Sequence, residues 1–309
     1  MWRNGQMPVS WRRHSRTKGV CEYGGCGCGR NRRIAAEWSS AWLLEMREIG
    51  RKMQSIGLEI NGVTKTFNSD QLAVTALEGV DLRIGKGQFV SIVGASGCGK
   101  TTLLRIIAGL EGDFEGAIEL EGRPVRGPSI EKGVVFQEHR LLPWLTVEEN
   151  VGFGLVSYPA AERRKLVQHY LGLVGLTQFA KAYPGQLSGG MAQRAAIARS
   201  LVNKPKILLL DEPLGALDAM TRIYMQNELE KIWFEERTTM VMVTHDVEEA
   251  IYLSDVVVLM SCRPGRVKRC IPIALSRPRR RDHPDFVAIK QQLLEEFNLQ
   301  AQEYFNFEI

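Results

Sequence analysis

The stretch QFVSIVGASGCGKTTLLRIIAG, residues 88–109, decides the fold of this chain. It opens with QFVSIV, an apolar run with the length and composition of a buried strand. It closes with TLLRIIAG, which is typical of a helix. Between the two, residues 94–101 read GASGCGKT and match the pattern G-x-x-x-x-G-K-[ST] of a phosphate-binding loop. The order of strand, loop and helix disfavours an accidental glycine-rich turn and predicts a nucleotide-binding site.

The chemistry of phosphate binding accounts for the residue types in this loop. Glycines allow the backbone to curl so that successive N–H groups point inward, and the following helix N-terminus adds positive potential. Lys100 supplies a positive charge to the β- and γ-phosphates, and the Thr101 hydroxyl can bind Mg²⁺. The predicted triphosphate-binding residues are therefore Gly94, Ala95, Ser96, Gly97, Cys98, Gly99, Lys100, Thr101 and Thr102.

A second element with catalytic residue types is ILLLDEP, residues 207–213. A buried strand that ends in an acid places the carboxylate at the carboxyl edge of a parallel sheet, where ligands of open α/β sheets bind. Asp211 is predicted to hold Mg²⁺, directly or through water, and Glu212 to polarise the attacking water. Alone, an Asp-Glu pair after an apolar run is often only a strand end, but together with the Lys100 loop it indicates a catalytic site.

Alternation of apolar strands and helices continues along the chain. Strand-like runs such as TTMVMVTHD (238–246) and DVVVLM (255–260) alternate with helical runs such as RIYMQNELEKIWFEE (222–236) and VEEAIYL (247–253). This alternation predicts an α/β fold with a parallel sheet wrapped by helices. No apolar run approaches the roughly 20 residues that a membrane-spanning helix needs.

The positive charge of the chain is concentrated near its N-terminus. Residues 1–33 hold eight Lys and Arg against one acid, whereas the remainder is nearly neutral, with 32 basic and 34 acidic residues. The basic run RPRRR (277–281) is predicted to be a solvated surface segment rather than a nucleic-acid groove. Nucleic acid is therefore not predicted as a partner.

Three regions are predicted. Residues 1–57 form a basic, partly disordered extension with a possible helix over 36–54, where Trp42, Met46, Ile49 and Met53 recur at helical spacing. Residues 58–280 form the nucleotide-binding domain, with a helical subdomain at about 140–186. Residues 281–309 form a short helical tail, in which HPDFVAIKQQLLEEF (283–297) has helical periodicity.

The sequence resembles the ATP-binding subunit of ABC transporters over about residues 58–280. The motifs that carry the resemblance occur in the family's order: Phe67 in VTKTF, Gln137 in VVFQ, LSGGM (187–191), LGALD (214–218) and His245 in VTHD. Met191 stands where many relatives have Gln, and PLGALD lacks a Ser that often precedes Ala, but neither departure removes a phosphate or metal ligand. The resemblance implies the P-loop NTPase fold of ABC ATPases, with a mainly parallel core sheet, an antiparallel β subdomain and a helical subdomain.

The resemblance also implies roles for individual residues. Phe67 would stack on adenine, Gln137 would reach Mg²⁺ and the attacking water, and His245 would contact the γ-phosphate. Asp218 would belong to a loop that communicates across a dimer. The signature residues Ser188, Gly189 and Gly190 would close on the ATP held by a second subunit, so a homodimer or a paired ATPase subunit is implied.

Taken together, these features predict an ATPase subunit of an importer, peripheral on the cytoplasmic face of the inner membrane. Its implied partners are integral membrane permease subunits and, indirectly, a solute-binding protein. The ending ALSRPRRRDHPDF (274–286), like LSGGMAQR (187–194), resembles the nitrate, sulfonate and taurine branch of importers. One alternative is a soluble ABC ATPase acting on DNA or the ribosome, which is disfavoured because the sequence shows neither a long coiled coil nor a second cassette. A second alternative is a nucleotide-binding regulator that does not hydrolyse ATP.

Overall fold

The computed structural model describes residues 55–69, 72–262 and 264–307. The prediction of a helix over 36–54, with most of the predicted N-terminal extension, lies outside these residues. The strands are β1 (Ile56–Ser69), β2 (Leu72–Gly85), β3 (Phe89–Val93), β4 (Glu115–Leu120), β5 (Arg123–Pro124), β6 (Lys132–Val135), β7 (Ile207–Asp211), β8 (Thr239–Thr244), β9 (Val256–Met260) and β10 (Val267–Pro272).

The helices alternate with these strands along most of the chain. They are α1 (Lys100–Ala108), α2 (Val147–Val151), α3 (Ala160–Leu173), α4 (Gly189–Leu201), α5 (Ala219–Glu236), α6 (Val247–Leu253) and α7 (Pro284–Phe307). Among the described residues, no helix combines the length and the apolar character that crossing a membrane requires.

The central sheet has six strands in the order β10-β9-β3-β8-β7-β6. Its strands are parallel apart from β10, which runs antiparallel to β9. Every residue of β3, β7, β8 and β9 is buried, which explains why these strands are continuous apolar runs in the sequence. The predicted α/β fold with a mainly parallel core sheet is confirmed.

A second sheet of four strands, in the order β2-β1-β4-β5, is antiparallel throughout. It shares one hydrophobic core with α1 and one face of the central sheet, where Val90, Ile92, Val241 and Val243 point. The alternate residues of the same strands, such as Phe89 and Met242, belong to the core on the opposite face. The central sheet is thus covered on both faces, as its sequence requires.

The region between about 140 and 186 is helical. It contains α2, α3 and three short 3-10 helices at Gly152–Gly154, Thr177–Phe179 and Pro184–Gln186. Thr146 caps α2 in a capping box with Glu149, in which each residue satisfies a backbone N–H of the other. Asn150, fully buried, donates to the carbonyls of Leu142 and Leu145 and thereby ties the preceding loop to α2.

The prediction that RPRRR (277–281) is a solvated surface segment is wrong for two of its arginines. Arg279 is only 6% exposed, and its guanidinium donates to the carbonyls of Ile251, Tyr252 and Ser254 at 2.6, 3.0 and 2.7 Å. Arg277 is paired with Glu230 and Asp255, each at 3.0 Å. Arg279 therefore satisfies the backbone carbonyls at the C-terminal end of α6. A run of basic residues in the sequence does not predict this structural role.

Replacing Arg279 with alanine is expected to lower the free energy of unfolding by about 3–5 kcal/mol, because the buried carbonyls at the end of α6 lose their donor. The matched control is Arg280→Ala, since the neighbouring Arg280 is 75% exposed and pairs only with Asp282 among the described contacts. Urea unfolding of both variants measures the difference. Equal destabilisation by the two substitutions would contradict the assignment.

Candidate functional site

The predicted phosphate-binding loop connects β3 to α1. Gly97 and Gly99 have φ angles of 76° and 93°, a left-handed conformation that favours glycine. A β-carbon on Gly99 would lie 2.7 Å from the carbonyl oxygen of Ala76, and one on Gly94 would lie 2.6 Å from the Sγ atom of Cys98. The glycine positions of the loop therefore need to lack a side chain, which leaves the backbone accessible to a ligand there.

Lys100 begins α1 and is only 5% exposed. Its Nζ atom donates hydrogen bonds to the carbonyl oxygens of Gly94 and Ala95, both at 2.8 Å. The positive charge that the sequence predicted for the phosphates is thus held inside the curl of the loop.

Thr101 and Asp211 meet across the junction of α1 and β7. The Thr101 hydroxyl donates to the Oδ1 atom of Asp211 at 3.0 Å. The pKa of the Asp211 carboxyl is raised above its ordinary value, mainly by burial. The Thr101 hydrogen bond opposes this rise, and the negative charge of Glu212 adds to it. A hydroxyl and a carboxylate that converge in this way form a hard oxygen donor set, which fits Mg²⁺. These residues are 110 positions apart in the chain, so the tertiary structure alone brings them together.

Glu212 and His245 form a second pair at the same edge of the sheet. The Oε2 atom of Glu212 lies 3.3 Å from the Nδ1 atom of His245. Glu212 follows β7 with a φ angle of 45°, which is uncommon for a residue with a side chain, and its N–H donates to the Val243 carbonyl at 2.9 Å. The strained conformation turns this residue out of the strand direction, beside Asp211.

The order of the central strands explains how these residues assemble. The phosphate loop follows β3, His245 follows β8, Glu212 follows β7 and Gln137 follows β6, and these four strands are neighbours and parallel. Gln137 is exposed two residues beyond the end of β6. Gln193 of α4 donates to the carbonyl of Phe136 at 3.4 Å, so the helix after the signature is attached to the segment that carries Gln137.

Phe67 lies near the end of β1 and is 43% exposed. It pairs with Val74 of β2, and Leu77 further along β2 lies against the phosphate loop at Gly99. The Nζ atom of Lys65 stands 4.8 Å from the centre of the Phe67 ring, a cation–π contact on the ring. An exposed aromatic ring at this position is free to stack on a flat ligand.

The signature residues form the N-terminus of α4. Ser188 is its N-cap and accepts a hydrogen bond from the N–H of Met191. Gly189 and Gly190 are the first two residues of the helix. A β-carbon on Gly190 would come within 2.8 Å of the Thr221 methyl group, whereas one on Gly189 would meet nothing closer than 3.9 Å. A side chain at Gly190 would therefore displace Thr221, whereas one at Gly189 would meet no such obstacle among the described residues.

Asp218 is the N-cap of α5. Its Oδ1 atom accepts hydrogen bonds from the N–H groups of Met220 and Thr221 at 3.1 and 3.0 Å. Hydrogen bonding by Thr221 holds the pKa of this carboxyl below its usual range. Since Thr221 also contacts Gly190, the predicted communication loop and the signature are packed against each other.

Sequence reasoning missed two features that surround this site. The backbone at Gly265 packs on the phosphate loop, since a β-carbon there would lie 2.1 Å from the Cys98 carbonyl oxygen. Beneath His245, Thr244 and the buried Glu249 are joined by a hydrogen bond of 2.8 Å. Thr244 carried a usable signal, because it is a hydroxyl residue at the end of an apolar strand. Glu249 carried none, because VEEAIYL looks like a helix with solvated acids.

The fold and the site together define a P-loop nucleotide-binding protein, and the comparisons with known proteins refine that class. The family described as ABC transporter matches residues 77–215, from within β2 through the phosphate loop, the signature and Glu212. The chain belongs to the family of ABC transporter ATP-binding proteins, and the resemblance predicted from its motifs is confirmed.

Individual relatives cover most of this chain. An aliphatic sulfonates import ATP-binding protein of Bacillus licheniformis is 45% identical over 82% of this chain and 98% of its own length. The protein of the same name from Bacillus subtilis is 47% identical over 75% of this chain and 91% of its own. Among solved structures, a dimeric ATP-binding cassette bound to ADP and Pi matches with a TM-score of 0.63 and 35% identity, over 71% of this chain and all of that one.

Proposed function

We propose that this protein is the ATP-hydrolysing subunit of an ABC importer that powers uptake of a sulfonate or a related small compound, such as nitrate or taurine. The observation that supports hydrolysis is the convergence of Lys100, Asp211, Glu212 and His245 at one edge of the central sheet. The relatives named as aliphatic sulfonates import proteins support the substrate class. Their names do not favour the alternative of a soluble ABC ATPase acting on nucleic acid or the ribosome.

In the proposed reaction, the N–H groups of the loop from Gly94 to Thr102 and the Lys100 ammonium bind the phosphates. Thr101, Asp211 and Gln137 would hold Mg²⁺, which neutralises charge on the phosphate oxygens when it is bound. Glu212 takes the proton of the attacking water, and His245 contacts the γ-phosphate and positions it against that water. Phe67 stacks on the adenine ring.

The signature is proposed to act on ATP bound to a second subunit, in a homodimer or with a paired ATPase subunit. Two observations support this arrangement. Gly189 is exposed, with no atom of the described residues closer than 3.9 Å to a β-carbon placed on it, and structures similar to this chain are dimeric cassettes. In a two-fold dimer, the signature of each subunit then faces the phosphate loop of the other, which gives two composite sites.

Gly189→Ala is expected to leave folding and ATP affinity unchanged and to reduce the ATPase rate by about a hundredfold, because a misplaced group at the reacting phosphate disturbs the geometry of the transition state. The matched control is Gly185→Ala, since a β-carbon there would meet no atom of the described residues within 4 Å, and one on Gly189 would meet none closer than 3.9 Å. The rate is measured by phosphate release from the purified full-length chain with Mg-ATP.

Mixing the Gly189→Ala protein with a Lys100→Ala protein separates action in trans from action in cis. A mixed dimer contains one intact composite site, so part of the ATPase activity should return if the signature serves the partner's ATP. Activity that stays absent after mixing, while each variant binds the other, would contradict the proposed arrangement.

The membrane side of the proposal is supported by the helical region. Trp144, Phe153 and Val156 are 70%, 55% and 80% exposed there, an unusual exposure for large apolar side chains. We propose that integral permease subunits dock on this region, with a solute-binding protein acting through them. The protein would then lie peripherally on the cytoplasmic face of the cell membrane.

Copurification tests the proposed function. An affinity-tagged full-length chain should bring down a multi-span membrane protein from detergent extracts, and liposomes containing that complex should take up a sulfonate only with internal ATP. Isolation with ribosomes or DNA instead, or ATP-independent uptake, would refute the importer function.

A further inference from the structure

Glu249 is a buried acid that the proposed mechanism does not use. It lies in the first turn of α6 and is 4% exposed. Its Oε2 atom is 2.8 Å from the hydroxyl of Thr244, whereas its Oε1 atom is buried and has no hydrogen-bond partner within the described part of the chain. A buried carboxylate oxygen without a donor is costly, so this contact needs a physical explanation.

The hydroxyl of Thr244 links Glu249 to the turn that carries His245. Besides its contact with Glu249, the Thr244 Oγ1 atom accepts the N–H of Asp246 at 3.1 Å. The hydroxyl therefore joins the two residues that flank His245. On the other side of the turn, His245 Nδ1 is 3.3 Å from Glu212 Oε2, so a continuous series of contacts runs from Glu249 to the proposed catalytic base.

The charged groups around Glu249 come from three elements. Asp246 lies on the same turn and caps α6, Glu212 follows β7, and Arg222 on α5 is 3.8 Å from Asp246. The pKa of Glu249 is raised to about 7, mainly by burial; Asp246 and Glu212 also raise it, whereas the Thr244 hydrogen bond and Arg222 oppose the rise. Asp246 and Glu212 repel a negative charge on Glu249, and the nearby cation Arg222 is already paired with Asp246. The negative charge of an ionised Glu249 would therefore be poorly neutralised.

From this geometry we infer that Glu249 is a positioning residue for ATP hydrolysis, which in its neutral form holds the His245 turn in place through Thr244. The inference rests on the proposed ATPase function and names a further residue for it.

Loss of the Glu249 proton changes two things in this arrangement. The carboxylate keeps the Thr244 hydroxyl on Oε2, but its buried Oε1 atom then carries charge with no donor among the described residues, so the turn must shift or admit water. The new negative charge also adds to those of Glu212 and Asp246, close to where the γ-phosphate is proposed to lie, and so opposes nucleotide binding. Both effects weaken hydrolysis as the pH rises.

The experiment is a pH profile of ATP hydrolysis by the full-length protein between pH 6 and pH 9. In the wild type, kcat/KM should fall at least about threefold above an apparent pKa near 7, because this ratio reports the free enzyme. The decline of kcat should occur at higher pH, since bound triphosphate adds negative charge near Glu249 and favours its protonated form.

Three variants distinguish positioning from a simple structural role. Glu249→Gln keeps a neutral group that can bond Thr244, so its profile should lose the alkaline decline. Glu249→Ala removes the link and should lose activity several-fold at every pH. Glu248→Gln is the matched control, because Glu248 is a neighbouring acid on α6 that instead pairs with Lys290 and Arg281. Its profile should retain the wild-type shape.

An alkaline decline that persists unchanged in Glu249→Gln would overturn the inference, as would equal losses in Glu249→Gln and Glu249→Ala at pH 7. If Glu249→Ala does not fold, the comparison of Glu249→Gln with Glu248→Gln still decides the question. Failure of the proposed function would look different, since the wild type itself would then hydrolyse no ATP at any pH.

Discussion

Replacing Glu212 with glutamine is expected to reduce ATP hydrolysis by about a thousandfold while ATP binding is retained. The reason is that an amide cannot accept the proton of the attacking water. Glutamine has nearly the shape of glutamate and can still meet His245, which lies 3.3 Å away, so the site should otherwise keep its geometry. Because hydrolysis is what reopens the proposed dimer, the variant should also accumulate as an ATP-bound dimer.

Two measurements check this result. Single-turnover assays follow phosphate release, and size-exclusion chromatography with and without Mg-ATP follows the dimer. Glu162→Gln is the control, because Glu162 is an exposed acid in the first turn of α3. Undiminished turnover in Glu212→Gln would remove Glu212 from the role of general base.

Replacing Lys100 with alanine is expected to weaken ATP binding by about a hundredfold or more, which corresponds to about 3 kcal/mol. The ammonium is the positive charge held inside the phosphate loop, where it also donates to the carbonyls of Gly94 and Ala95. Without it, the loop loses both its charge for the phosphates and the hydrogen bonds that hold its curl.

Titration with a fluorescent ATP analogue measures the change, and the melting temperature shows whether the chain still folds. The control is Lys165→Ala, which removes an exposed lysine of α3. An unchanged dissociation constant in a folded Lys100→Ala protein would undo the assignment of the loop from Gly94 to Thr101.

Features that are local in the chain were predictable from the sequence. The loop GASGCGKT carries its own glycines, lysine and threonine, and the flanking strand and helix follow from composition, so β3 and α1 were expected where they lie. A helical tail over residues 281–309 was also expected, and the last helix spans Pro284–Phe307. Residue roles taken from the family's motif order, such as those of Phe67 and Asp218, remain predictions.

Features that depend on burial were not predictable. Arg279 and Arg280 are adjacent and chemically identical, yet one is buried against the carbonyls at the end of α6 and the other is exposed. Glu248 and Glu249 differ in the same way, since the first faces Lys290 and the second is enclosed beneath His245. Composition and periodicity do not distinguish such neighbours, because burial is set by what packs against each side chain.

The class of this protein follows from its amino-acid sequence alone, because phosphate binding needs a short, contiguous set of residue types that can be recognised directly. The tertiary structure decided how the site is completed. It placed Thr101 against Asp211 and Glu212 against His245, pairs that are distant in the chain and meet only because β3, β8 and β7 are neighbours in one parallel sheet. It also decided which charged side chains lose water. Packing buries Glu249 close to the turn that carries His245, and the resulting desolvation raises the pKa of this carboxyl.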